Sequence, residues 1–183
     1  AKSKTKELIV KPGDRIPLAG LDIEVITARG DVMGKASSLA RGAGDNALCG
    51  AASKKEDDAT ENGRSIGFLL KFGEFRFLDL ADLTWNKEME VACPLNKVGK
   101  VDLYLTNHHG VWASNNPALV HALESKAMIM NNGDKKGGDA PAIDSMRAAP
   151  GLKNFWQLHY SIKAGKDHNV EDPYIANLTS PGG

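Results

Sequence analysis

The sequence predicts an α/β (α+β) fold, a mixed sheet with covering helices. Two patterns carry this expectation. Short apolar or alternating segments joined by tight turns fill the first half, and strand-like runs then alternate with helix-like ones. At 183 residues, with 42% hydrophobic and 25% charged side chains, the chain has enough apolar material for a buried core and does not read as disordered.

Taken in order, Leu8-Ile9-Val10 reads as a short strand closed by the turn at Pro12-Gly13. Residues 16–18 and 21–26 alternate in polarity, which suggests two half-buried strands around Gly20. Residues 28–63 lose all periodicity and form a long loop, the kind of segment that is either functional or mobile. Residues 65–72 and 74–80 make the clearest hairpin, turning at Gly73. Residues 84–92 suit a helix capped by Thr84 and stopped by Pro94. A buried strand is expected over 101–106 and a helix over 117–126, with Pro117 in its first turn. A strand over 127–130 comes next, then a helix over 140–148 that ends before Pro150-Gly151. The last strands fall at 155–160 and 174–178, and residues 1–183 read as a single domain.

Charge excludes some partners. Lys plus Arg and Asp plus Glu number 23 each, so the formal charge is zero. General nucleic-acid affinity needs a basic excess, and so does electrostatic attachment to a membrane. No apolar run is long enough for a membrane span, and no secretory signal opens the chain. Cys-x-x-Cys, Gly-x-Ser-x-Gly and Gly-x-Gly-x-x-Gly are all absent, so zinc-ribbon, serine-hydrolase and dinucleotide readings lack their parts. Cys49 and Cys93 either pair with each other or stay free.

Three polar clusters come directly after apolar strands, where the carboxyl ends of an α/β sheet place their chemistry. Asp82 lies just past the first, where it reads equally as a turn or cap residue and as a carboxylate metal ligand. His108-His109-Gly110 lies after the second; a histidine pair at a strand end suits metal ligation, because neutral imidazole is a common metal ligand. Residues 131–139, with Lys135-Lys136-Gly137-Gly138, lie after the third and read as a solvated loop or an anion cradle. His159 and His168 each read as structural taken alone, although His168, in a later loop, could reach a cleft; His121 falls on an apolar helix face and is assigned no function.

In this order, Glu61-Asn62-Gly63-Arg64-Ser65, Asp82 and His108-His109-Gly110 resemble the second half of metallo-β-lactamase-fold hydrolases. The likeness is to the branch that includes the metallo-β-lactamase domain of DNA-uptake competence proteins, and to uncharacterised bacterial hydrolases. There an Asn-x-x-Ser strand precedes one ending in Gly-Asp, and a later strand ends in His-His-Gly. The resemblance spans roughly residues 8–178, with Ala81 standing where the pattern has Gly. The family signature His-x-His-x-Asp-His occurs nowhere in this sequence.

The resemblance therefore implies the carboxy-terminal half of an αββα sandwich, with the amino-terminal half as its partner. It implies zinc, two ions in the intact protein, with Asp82 bridging them and His108 binding one. By the same resemblance His109 orients or protonates the substrate, His168 lines the cleft, and Asp102 and Asn107 orient the ligand histidine. The implied reaction is attack of zinc-activated water on an ester, phosphoester or amide, with this half inactive alone. It also implies a periplasmic or secreted location. The competing reading is a non-catalytic anion- or protein-binding domain that keeps the fold without metal and uses the Lys135-Lys136 loop. A homo-oligomer is a third expectation, because half of a layered fold leaves an apolar sheet face to cover.

Overall fold

A computed structural model of the protein describes residues 7–178. The strands are β1 (Asp22–Ala28), β2 (Asp31–Val32), β3 (Gly44–Asp45), β4 (Gly67–Phe72), β5 (Phe75–Asp79), β6 (Leu95–Asn96), β7 (Leu103–Leu105), β8 (Ala127–Met130), β9 (Asn154–His159) and β10 (Ile175–Asn177). The helices are α1 (Trp85–Ala92), α2 (Pro117–Val120) and α3 (Ala140–Arg147). Eight strands form one mixed sheet in the order β10-β9-β8-β7-β5-β4-β1-β2, and β3 pairs with β6. The fold is α+β, as the sequence predicts. No helix among the described residues is long and apolar enough to cross a membrane.

The change of period near residue 84 becomes a change of topology. Strands β1, β4 and β5 are antiparallel neighbours, whereas β5, β7, β8, β9 and β10 run parallel. Parallel neighbours need a crossover, and α1, α2 and α3 supply the connections from β5 to β7, β7 to β8 and β8 to β9. Leu69, Leu78, Tyr104, Met128 and Phe155 stand on one sheet face and share a core with Val91, Leu119, Leu123, Ile143 and Met146 from the helical side. The opposite face carries Leu70, Phe77, Leu103, Leu105, Ile129 and Trp156, placed together by register. Among the described residues no helix covers it; Trp156 is 43% exposed and Ile129 38%.

Several elements differ from expectation. Residues 8–10 are not a strand: Leu8 and Ile9 are exposed, and the β1 edge is taken by Gly13 and Asp14, which exchange hydrogen bonds with Val25. Residues 16–18 do not form a strand; they contribute the isolated pairing of Leu18 with Leu21 and a bond from Ile16 N–H to the Ile23 carbonyl. The helix expected over 117–126 stops at Val120, because the Leu123 carbonyl accepts from Val101 N–H ahead of β7 and Glu124 adopts φ 40°. The loop over 28–63 is tied down by the Cys49–Cys93 disulfide, which spans 44 residues and fastens it to the end of α1.

Asp102 lies at the amino end of β7, the opposite end from the histidine pair. Its Oδ1 pairs with Lys126 Nζ at 2.6 Å and Arg41 Nη2 at 3.3 Å, and its Oδ2 accepts from Arg76 N–H at 3.0 Å. It therefore has no part in orienting a histidine. Burial disfavours its charge, but the Lys126 and Arg41 contacts and the Arg76 amide outweigh that and hold the carboxyl down at about 2. Its stabilisation is present above its ordinary value of 3.8 and is lost as pH falls through the folded value. Asp102→Asn should cost about 1–3 kcal/mol at neutral pH in urea denaturation. It should also remove part of the loss of stability between pH 4 and pH 2.

Candidate functional site

The parallel pairing sets Asp79 level with Leu105, and Leu105 level with Ile129. The segments leaving these three strands therefore meet at one rim. His108 N–H donates to the Ala81 carbonyl at 3.0 Å, and Gly138 N–H donates to the His109 carbonyl at 2.8 Å, stitching the three exits together. Ala81 sits at φ 54°, the left-handed region that the glycine of the resembled pattern would occupy more easily. His108 and His109 are also left-handed, at φ 50° and 57°, with Gly110 next at φ 76°. Non-glycine residues pay about 1–2 kcal/mol each for this geometry, so the turn is held by its surroundings.

Asp82 and His109 face each other across this rim, with Oδ1 and Nε2 3.7 Å apart and both side chains partly exposed. The other ring nitrogen of His109, Nδ1, lies 3.1 Å from the Asn131 carbonyl. A carbonyl only accepts, so Nδ1 carries the hydrogen and, in the neutral ring, Nε2 turns a lone pair toward the Asp82 carboxylate. Two acceptors so placed call for a proton or a cation between them.

His108 points elsewhere. Its Nε2 lies 3.4 Å from Asn62 Nδ2 and its Nδ1 3.3 Å from Ser114 Oγ. Asn62 belongs to a strap, residues 53–64, bound to the start of α1. There Trp85 Nε1 donates to Ser53 O, and Asn86 bonds the backbone of Lys55 on both sides. Lys55 Nζ sits 3.4 Å from the Trp85 ring centroid and 4.5 Å from that of Trp112. Asp58 on the same strap has its carboxyl lowered by the Thr60 hydroxyl and amide and then by His108.

The structure thus brings Asp82 to His109 rather than to His108, the histidine that sequence reasoning favours as its fellow ligand. His168 does not join them; its Nδ1 lies 2.8 Å from Asp144 Oδ1 on the exposed side of α3. Asn107 turns away from both histidines and donates to Glu88. Lys135 and Lys136 are exposed, whereas Gly137 and Gly138 are buried against His109 and Ser161. A cavity of about 160 Å³ behind α1 and α2, lined by Leu48, Trp85, Pro117 and His121, contains none of the rim residues.

Sequence reasoning misses Glu88, the buried charge of the site. It is fully buried and accepts from Asn107 Nδ2 at 2.5 Å, Asn115 N–H at 2.7 Å and Asn116 N–H at 2.7 Å. Burial pushes its carboxyl up to about 7, against the pull of those donors and of Lys55. A signal was present: Trp85, Glu88, Val91 and Ala92 form the buried stripe of α1, and a carboxylate on such a stripe requires an explanation.

No group of three or more His, Cys, Asp or Glu side chains able to hold a metal ion occurs among the described residues. Asp82 and His109 nevertheless fit part of a zinc site. Zinc–ligand bonds near 2.0–2.1 Å in a tetrahedron put neighbouring donors about 3.4 Å apart, close to the separation found. Thr106 Oγ1 and Asn131 Oδ1, on the segments leaving β7 and β8, are buried without a hydrogen-bond partner. No protein-family model matches the chain, and no curated protein matches it.

Two outcomes are expected from this geometry. A Cβ at Gly137 would collide with the His109 carbonyl, whereas one at Gly73 meets open space, and both glycines have positive φ. Gly137→Ala should therefore lower stability by about 2–4 kcal/mol, against about 1 kcal/mol for Gly73→Ala, measured by chemical denaturation. Glu88 binds a proton more tightly when folded than when unfolded, so its contribution to stability is greatest below pH 4.5 and is lost as pH rises through about 7. That fall amounts to about 3 kcal/mol, and Glu88→Gln should flatten it in stability measured from pH 5 to pH 8.

Proposed function

We propose that this chain is the carboxy-terminal half of a metal-dependent hydrolase of the metallo-β-lactamase type. In this reading it contributes Asp82 and His109 to a zinc site that a second half completes. The observation carrying this reading is the placing of the two His109 ring nitrogens, Nδ1 3.1 Å from Asn131 O and Nε2 3.7 Å from Asp82 Oδ1. A backbone carbonyl on the far ring nitrogen is the arrangement by which proteins fix a ligand histidine. The uncovered sheet face supports the same reading, since an apolar surface of that breadth needs a covering layer.

Each residue then has a task. Asp82 and His109 hold the cation; Asn131 fixes the His109 tautomer. His108, tied to Asn62 and Ser114, lines the approach over the strap rather than binding the ion. When bound, zinc lowers the pKa of a coordinated water and polarises the oxygen of the scissile ester, phosphoester or amide. Two protein ligands are fewer than the three or four of a zinc site, so this chain alone should hold zinc weakly.

The test is zinc content and phosphodiesterase activity toward bis(p-nitrophenyl) phosphate of this chain co-expressed with its upstream coding sequence. The complete protein should retain zinc, and Asp82→Ala and His109→Ala should each lower turnover by about a hundredfold or more. His168→Ala should leave both measurements at the wild-type level. Full zinc content and turnover in Asp82→Ala would overturn the proposal.

A further inference from the structure

We propose that Glu88 is the positioning residue of the rim: its buried carboxylate gathers both ends of the 107–116 turn and so holds His108 and His109 in their left-handed conformations. The turn leaves β7 at Thr106 and must return to α2 at Pro117. Between those points it carries three non-glycine residues with positive φ, His108, His109 and Asn115. His and Asn tolerate positive φ better than most residues, and backbone bonds to Ala81, Gly138 and Asp139 hold the middle of the turn. Its two ends are joined by one carboxylate: Oε1 accepts from the Asn107 side chain at the start of the turn and from Asn115 N–H near its end. Oε2 accepts from Asn116 N–H, and the Asn115 amide adds bonds to the Asn107 and Val111 carbonyls.

All three groups that meet Glu88 are donors. An ionised carboxylate satisfies them, whereas a neutral acid would bring a hydroxyl hydrogen into a cluster of donors. The ionisable groups facing Glu88 are Lys55, on the strap, and the buried Tyr104 of β7. Burial pushes the Tyr104 hydroxyl well up, so it stays neutral, and it accepts from Asn107 N–H. Lys55 is therefore the cation that favours the charged form of Glu88, and it comes from the strap whose Asn62 reaches His108. A buried charge explains the cost in stability at neutral pH: a hydrophobic residue at this place on α1 would pack better but leave the two ends of the turn unjoined.

The inference concerns the histidines of the hydrolase reading without requiring it, because its test reads ring nitrogens rather than zinc or turnover. The five imidazoles of the ¹⁵N-labelled chain are followed by long-range proton–nitrogen correlation at pH 7 and pH 9. In the wild-type chain at pH 9, where Glu88 is ionised, His109 should show a single Nδ1–H tautomer. In Glu88→Gln, which keeps the shape but replaces one acceptor by a donor, His108 and His109 should move toward the averaged shifts of free imidazole. His121, His159 and His168 should keep theirs.

Lys55→Met provides the second arm and leaves Glu88 itself in place. Methionine keeps apolar contact with Trp85 and Trp112 while removing the cation and its hydrogen bond to the Trp112 carbonyl, so Glu88 takes up a proton more readily. The His108 and His109 changes should then be larger at pH 7 than in the wild-type chain and smaller at pH 9 than at pH 7. Unchanged His108 and His109 signals in a folded Glu88→Gln chain would overturn the proposal. So would equal movement of all five histidines, or a Lys55→Met effect of the same size at pH 7 and pH 9.

Discussion

Three parallel strands that end level with one another are the constraint on which the rest of the molecule depends. Asp79, Leu105 and Ile129 stand side by side in β5, β7 and β8, so the segment leaving each strand is delivered to one edge of the sheet. The order of the chain then matters little. Asp82, His109 and Asn131 are 27 and 22 residues apart in sequence, yet their polar atoms lie within 4 Å of one another in successive pairs. The helices between them act as spacers that return the chain to the start of the next strand.

That convergence is costly, and the costs are local. The turn carrying the histidines is left-handed over consecutive residues, and the glycines packed on it leave no room for a Cβ. A carboxylate is buried on α1 to hold the turn, where an apolar side chain would suit the core better. Glu88 and Asp102 make an instructive contrast. Asp102 meets two cations and an amide, and stays charged well below its ordinary range; Glu88 meets neutral donors and a single lysine, and burial dominates. One serves the sheet at the amino end of β7, while the other serves the rim at the carboxyl end.

The two faces of the sheet also differ. One is sealed by α1, α2 and α3 around Leu78, Tyr104 and Met128. The other presents Phe77, Leu105, Ile129 and Trp156 with no helix of the described residues over them. Alternation along single strands hinted at this poorly, because β4, β5 and β7 are apolar on both sides and so read as buried on both. Burial of one face only is a property of the assembled sheet.

Much of the fold was legible in the residues themselves. The hairpin at Gly73, the helix before Pro94, the strand over 127–130 and the switch from antiparallel meander to strand–helix alternation all arise from local pattern, because period and turn chemistry act over a few residues. The site was legible as three polar segments after three strands, and no further. Tertiary structure alone decided that His109 faces Asp82 while His108 faces Asn62, since neighbouring side chains in a left-handed turn diverge by an angle that spacing does not encode. It also decided that Cys49 meets Cys93, that His168 belongs to the surface of α3, and that Asp102 serves the opposite end of the sheet. Each of these depends on contacts between residues at least 24 apart in sequence, where direction in space is set by packing.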